Sequence, residues 1–292
     1  MENKITKEKI EKVISEITEM PTFIDVLSQL VALTDDPLTS ASDLVKVMDQ
    51  SLAVTVLKVA NSAFFGHRFY RHISTIEHAI ALIGFNTVRE LALSSSFIAL
   101  LPPKSKRREV DLKSFCYHSI LCAVASKLLA KVFRSEYLDR AYSAGLIHDI
   151  GKTIIAGYFP KQFKAMKKFM KGRNIPALEA ERAILGVTHA EVGGWFVESW
   201  NLPYEIEEAV RFHHQPHASQ LDKELTFTVS LANNLSKKIA SQAVLPQSRE
   251  IQEFFTDEVG FAYDKCEEFT SELLQKIEKA QPLVDLITDK IF

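Results

Sequence analysis

The sequence predicts an all-α protein. Apolar residues recur at helical spacing along most of the chain, and capping residues or proline stand where helices would begin. Runs of alternating β-branched residues are scarce, which leaves little material for a sheet. No tract is of low complexity and no unit recurs at a fixed period. With 292 residues, 47% of them apolar, the chain can build a full core and has room for two domains of ordinary size.

In the first part of the chain, Ile5, Ile10, Val13, Ile14 and Ile17 mark a helix that ends at Met20-Pro21, because proline has no N–H to donate. A second helix is expected over 23–33. Ser40 and Asp43 are spaced as a capping box for a third over 41–49, and a fourth, over 52–60, ends in the turn formers Asn61 and Ser62. Ser74 and Glu77 form a second box, for a helix ending at Gly84, and Asn86 is expected to cap the next, over 87–101, which Pro102-Pro103 stops. These elements make an N-terminal helical bundle over 1–103. Its 66–73 loop mixes His67, Arg68, Arg71 and His72 with aromatics, and reads either as a phosphate or partner contact or as a solvated loop. The basic, proline-containing stretch 102–108 marks a domain junction, with the linker at 104–110.

A second helical bundle is expected over 111–245. One long helix covers 111–132 and contains His118. An apolar run from Ala141 to Ile147 then delivers His148 and Asp149 side by side, with Gly151, a residue free to take φ > 0, expected to turn the chain. A basic amphipathic helix over 161–172 presents a solvated face of lysines. Pro176 can start another, with Glu179, Glu181 and Arg182 outward. Thr188 and Glu191 form a capping box that puts His189 in the first turn of a helix through Trp200. Pro203 starts the next, and Phe212-His213-His214-Gln215-Pro216 closes it. A long helix over 223–241 follows, and the tail, 246–292, reads as further amphipathic helices packed on the bundle.

Lysine plus arginine, 35, nearly balances aspartate plus glutamate, 37, so no global basic field points to nucleic acid. Cys116, Cys122 and Cys266 are odd in number and lack C-x-x-C spacing, which fits buried thiols in a reducing cytoplasm. The N-terminus has no apolar signal core, and no run is expected to reach the roughly 18 uncharged residues that span a bilayer. No glycine-rich phosphate loop is present.

The chemistry of the chain is concentrated in its histidines. His118, His148 with Asp149, His189, and His213 with His214 come from four separate stretches, three of them at helix ends, with His217 close behind. Together they are the ingredients of a mono- or dinuclear site for a borderline or hard divalent ion, which helical bundles commonly assemble from several helices. Taken one at a time, each has a plainer reading as a helix-end or core histidine.

Several motifs carry a family resemblance. Met20-Pro21-Thr22-Phe23, then Ala60-Asn61-Ser62-Ala63, then Ile73-Ser74-Thr75-Ile76-Glu77-His78-Ala79-Ile80 with Leu82-Ile83-Gly84, resemble the HDOD family. These are bacterial all-helical regulatory modules related to the HD phosphohydrolases. The resemblance implies that His118 matches the first HD histidine and His148-Asp149 the namesake pair. It makes Lys152 the lysine beside the substrate phosphate in HD-GYP phosphodiesterases, and His189, His213 and His214 the histidines of a second metal position. Asn233 stands where the superfamily has aspartate, and no Gly-Tyr-Pro segment follows His214. Two functions follow from the resemblance. One is a signalling module with a divalent-metal site (iron, manganese, zinc or nickel, one or two ions) that acts through a protein partner or a nucleotide-like ligand. The other is a metal-dependent phosphohydrolase or phosphodiesterase acting on a nucleotide or cyclic dinucleotide, with Asp149 and Lys152 as its catalytic residues.

Overall fold

The structure is a computed structural model and describes residues 6–18, 50–61, 73–99, 111–133, 138–173, 175–200 and 202–242, with the separate positions 33, 40, 43, 46, 256, 268, 269, 271–273, 275 and 276. Among these residues there are α-helices, one short 3-10 turn and no strand, as the periodicity predicts. Apart from those separate positions and Ile73, the helices expected over 23–33 and 41–49, the 66–73 loop, the 102–108 junction and the C-terminal tail lie outside the described residues.

Helix α1 (Lys7–Thr18) buries Ile10 and Ile14. Helix α2 (Gln50–Ala60) ends at Asn61, whose amide donates to the carbonyls of Leu57 and Ile73 and accepts from the Ile73 N–H, each at 2.8 Å. That one side chain therefore fixes where the chain re-enters the bundle. Helix α3 (Ile76–Ile83) is capped by Thr75 and not by Ser74, because Thr75 is the residue in the extended conformation a cap requires, and its hydroxyl accepts from His78 N at 3.2 Å. Helix α4 (Phe85–Ala99) follows Gly84 directly, so Asn86 lies inside the first turn instead of capping it.

Helix α5 (Leu112–Phe133) begins at Asp111, whose carboxylate accepts from Ser114 N at 3.1 Å. It is long and apolar enough to cross a bilayer by length and composition alone, although, as expected, lysines keep it short of 18 consecutive uncharged residues. As a core helix, it has 67% of its apolar window buried and Lys113, Lys127 and Lys131 along its less buried stripe. Cys116 and Cys122 are fully buried on it, and Cys266 lies outside the described residues. Helices α6 (Leu138–Ile147) and α12 (Lys223–Gln242) pack against α5, and α7 (Ile150–Tyr158) leads into the lysine-rich α8 (Pro160–Arg173). Helix α9 (Ala177–Ile184) is stopped by Gly186 at φ 82°, and α10 (His189–Ser199) and α11 (Tyr204–Phe212) form an antiparallel pair. A single apolar cluster joins these elements, with α1 seated on α10 and α4 on α6.

Gly151 does not turn the chain. It lies in the first turn of α7, and Gly84 and Gly186 are the glycines with positive φ among the described residues. The turn is made by His148 and Asp149, and Gly151 is needed for a different reason. A Cβ there would lie 1.9 Å from the carbonyl oxygen of His189 and 2.9 Å from Gly193 N, so its bare backbone lets α7 and α10 touch.

Candidate metal centre

Four helix ends and the middle of α5 bring the six predicted side chains together. At the α6–α7 turn, Asp149 is the N-cap of α7, yet its carboxylate makes no capping hydrogen bond. It turns into the bundle instead, 1% exposed. Its Oδ2 lies 2.6 Å from Lys152 Nζ, 3.3 Å from His148 Nε2 and 3.4 Å from His118 Nε2. Its Oδ1 lies 3.1 Å from His189 Nε2 and 3.6 Å from His213 Nε2. His214 Nε2 completes this second side, 3.1 Å from His189 Nε2. The donor atoms thus fall into two groups that share Asp149: His118, His148 and Asp149, and Asp149, His189, His213 and His214. His217 belongs to neither and packs edge-on against Phe227.

The outer hydrogen bonds set which ring nitrogen is available. His148 Nδ1 donates to the Gly145 carbonyl at 2.8 Å and His213 Nδ1 to the Val210 carbonyl at 2.7 Å, bonds that each i, i+3 helix-end geometry supplies. His189 Nδ1 lies 2.8 Å from both oxygens of Glu181. All three rings therefore present Nε2 inward. Three Nε2 lone pairs facing two oxygens of a buried carboxylate repel one another unless a cation lies among them. Asp149 Oδ1 and His213 Nε2 are buried without a hydrogen-bond partner, which fits a metal ion as the missing neighbour. Imidazole nitrogens with one carboxylate suit iron, manganese, zinc or nickel.

Titration follows from the same packing. Burial keeps His148 below its usual range, pushes His213 down to about 3, and holds His214 very low, so these rings stay neutral and able to bind metal at pH 7. Burial also opposes the charged form of His189, but the carboxylates of Asp149 and Glu181 on either side of the ring outweigh it and raise that pKa. Asp149 remains ionised in spite of burial, because His148 and Lys152 lie beside it.

Two neighbours of the site escape the sequence reading. Glu181 does not point outward: it is 2% exposed, accepts from His189 N at 2.8 Å, and faces the ring of the same residue. The signal was its spacing, four residues before the fully buried Leu185 and so on the inward stripe of α9. Lys237 is an exposed residue near enough to Asp149 and His214 to bear on their titration. Asn233 lies one turn earlier on the same stripe of α12, fully buried, with neither its amide oxygen nor its nitrogen in a hydrogen bond. The rim of the site is formed by His118 at 14% and Lys152 at 33% side-chain exposure.

The sequence profile of the HDOD domain matches residues 20–216. The chain belongs to the HDOD domain family. Within the curated proteins this HDOD chain is 28% identical over 221 residues to an uncharacterized protein of Treponema pallidum (strain Nichols). The match covers 74% of this chain and 42% of that protein, so the chain spans less than half the length of its relative. Among solved structures it resembles an HDOD domain protein of unknown function from Geobacter sulfurreducens, with a TM-score of 0.69 and 20% identity over 97% of this chain and 99% of that one. A candidate phosphohydrolase from Shewanella amazonensis SB2B gives a TM-score of 0.73 at 17% identity, over 94% and 97% of the two chains. At these identities the likeness shows the HDOD helical fold.

Proposed function

We propose that this chain is an HDOD signal-transduction module whose helical bundle is organised around one or two divalent ions, held by His118, His148, Asp149, His189, His213 and His214. The observation that carries the reading is Asp149, whose two oxygens face two different sets of imidazoles, as a carboxylate does when it joins two metal positions. A ligand bound only by the folded state stabilises it, so metal occupancy would tie the packing of α5, α7, α10 and α11 to the state of the site. The division into an N-terminal bundle over 1–103, a linker over 104–110, an HD-like bundle over 111–245 and a packed tail belongs to the same reading. So do a cytoplasmic setting and a protein partner that contacts the N-terminal half.

A second reading, hydrolysis of a phosphate ester, is favoured by Lys152. Its ammonium reaches the rim while bonded to Asp149, where it can offset negative charge on a phosphoryl group and hold that group against the site. Bound divalent ions supply Lewis acidity toward such a substrate. Asp149 would keep His148 and His189 oriented, and the partly exposed His118 and His214 would line the entry. Asn233, neutral where hydrolytic HD relatives carry aspartate, places regulation ahead of turnover.

Metal content per chain, measured by plasma mass spectrometry on untagged protein purified without chelator, tests both. The reading expects one or two ions in the native chain and fewer in His148→Ala. Hydrolysis of bis(p-nitrophenyl) phosphate or a cyclic dinucleotide that disappears in His148→Ala would assign the second reading. A folded native chain that takes up no ion refutes both.

A further inference from the structure

Glu181 is a buried carboxylate whose charge helix capping alone does not call for. The N-terminus of α10 already has its cap: Thr188 accepts from Glu191 N at 3.3 Å, and Glu191 accepts from Thr188 N at 2.8 Å. Glu181 reaches the same helix end from α9, its carboxylate taking the His189 N–H and the His189 Nδ1–H together. At 2% exposure it forms no ion pair with a lysine or arginine in the described structure, its ionic contact being His189. A carboxylate so deeply buried is costly unless positive charge lies close by. Through the ring of His189, that charge would be at the Nε2 face, next to Asp149 Oδ1.

We propose that Glu181 is a positioning residue of the metal centre. It fixes His189 as an Nε2 ligand and supplies, one ring away, the second negative charge that Asn233 does not provide. The inference rests on the metal reading above and adds which residue outside the ligand set controls which position. The arrangement is a carboxylate–imidazole–metal relay, in which the outer carboxylate sets the tautomer and makes the ligand more basic. It acts on the His189, His213 and His214 position alone, since His148 donates its outer hydrogen bond to the Gly145 carbonyl. Asp149 and Glu181 then flank His189 on opposite sides, and the site keeps two anions although Asn233 is neutral.

The test is manganese(II) binding by calorimetry on the full chain after chelator treatment, for the native protein, Glu181→Gln and Glu181→Gln with Asn233→Asp. Glutamine keeps an acceptor for the two N–H groups and removes the charge, so α10 stays capped. Glu181→Gln should weaken one manganese position by roughly 10- to 100-fold, leave the other within a factor of about two, and barely move the melting temperature of the chelated protein. The added Asn233→Asp should recover part of the lost affinity. Equal affinities in Glu181→Gln and a native chain that takes two ions would overturn the inference while leaving the metal reading intact. A native chain that takes no manganese overturns both. Nitrogen NMR of the native protein is independent of any variant: His189 must carry its proton on Nδ1, and a proton on Nε2 in the loaded protein would refute the assignment.

Discussion

Replacing Gly151 by alanine places one methyl group where the structure has no room for it. The new Cβ would sit 1.9 Å from the His189 carbonyl oxygen, 2.8 Å from its carbon and 2.9 Å from Gly193 N. All three are backbone atoms and cannot swing aside as a flexible side chain would. To bring the shortest contact to the 3.0 Å floor of real Cβ contacts, α7 and α10 must part by at least about 1.1 Å. Overpacking typically costs about 1–3 kcal/mol, and a clash with backbone belongs at the upper end. At roughly 2–4 °C per kcal/mol for a chain of this size class, about 3 kcal/mol lowers the melting temperature by about 6–12 °C. The same displacement moves His189, at the start of α10, away from Asp149, now 3.1 Å from it, while leaving His118 and His148 in place. Circular-dichroism melting and metal content on Gly151→Ala should therefore show a less stable protein that has lost the His189 position. A variant that melts within about 2 °C of the native chain and carries the same metal would show that α7 and α10 do not touch as described.

Asn233→Asp should have opposite effects with and without metal. The amide makes no hydrogen bond that the substitution could break, so the added charge dominates. Stripped of metal, the variant buries an unpaired carboxylate and should lose about 3 kcal/mol. With manganese present it should bind the ion more tightly and melt higher than the native chain, and weaker binding by calorimetry would contradict its place in the site. Acid should destabilise the chelated protein. His148, His213 and His214 have folded-state pKa values below their unfolded value of 6.5, that of His213 at about 3, so below pH 6.5 the unfolded chain takes up protons that the folded chain refuses. His189, raised, acts in the opposite sense but is outnumbered, and Asp149 adds to the loss below pH 3.8. The melting temperature should fall steadily from pH 7 to pH 4.5, and a flat profile would mean that these rings are not buried.

Much of the fold is legible along the chain, because helix signals are local. Pro203 before α11 and the Thr188–Glu191 box before α10 act on residues within one turn, and both stand where expected. Between Ser74 and Thr75, or at Asn86, a capping side chain is available at neighbouring positions, and only the backbone path selects one. The apolar length of α5 is equally visible in sequence, but whether protein or lipid covers it is a tertiary property.

The candidate site divides in the same way. The candidate ligands are legible in residue type and position: His148, Asp149, His189, His213 and His214 at helix ends, and His118 within the long α5. That Asp149 lies between two sets of imidazoles, that Gly151 is bare so that α10 can approach, and that Glu181 faces His189 instead of water are decided by folding alone. The reason is physical. A cap or a helical stripe is settled by bonds within about four residues, whereas a ligand cluster depends on contacts between helices far apart in the chain. Their distances are set by how the whole core closes.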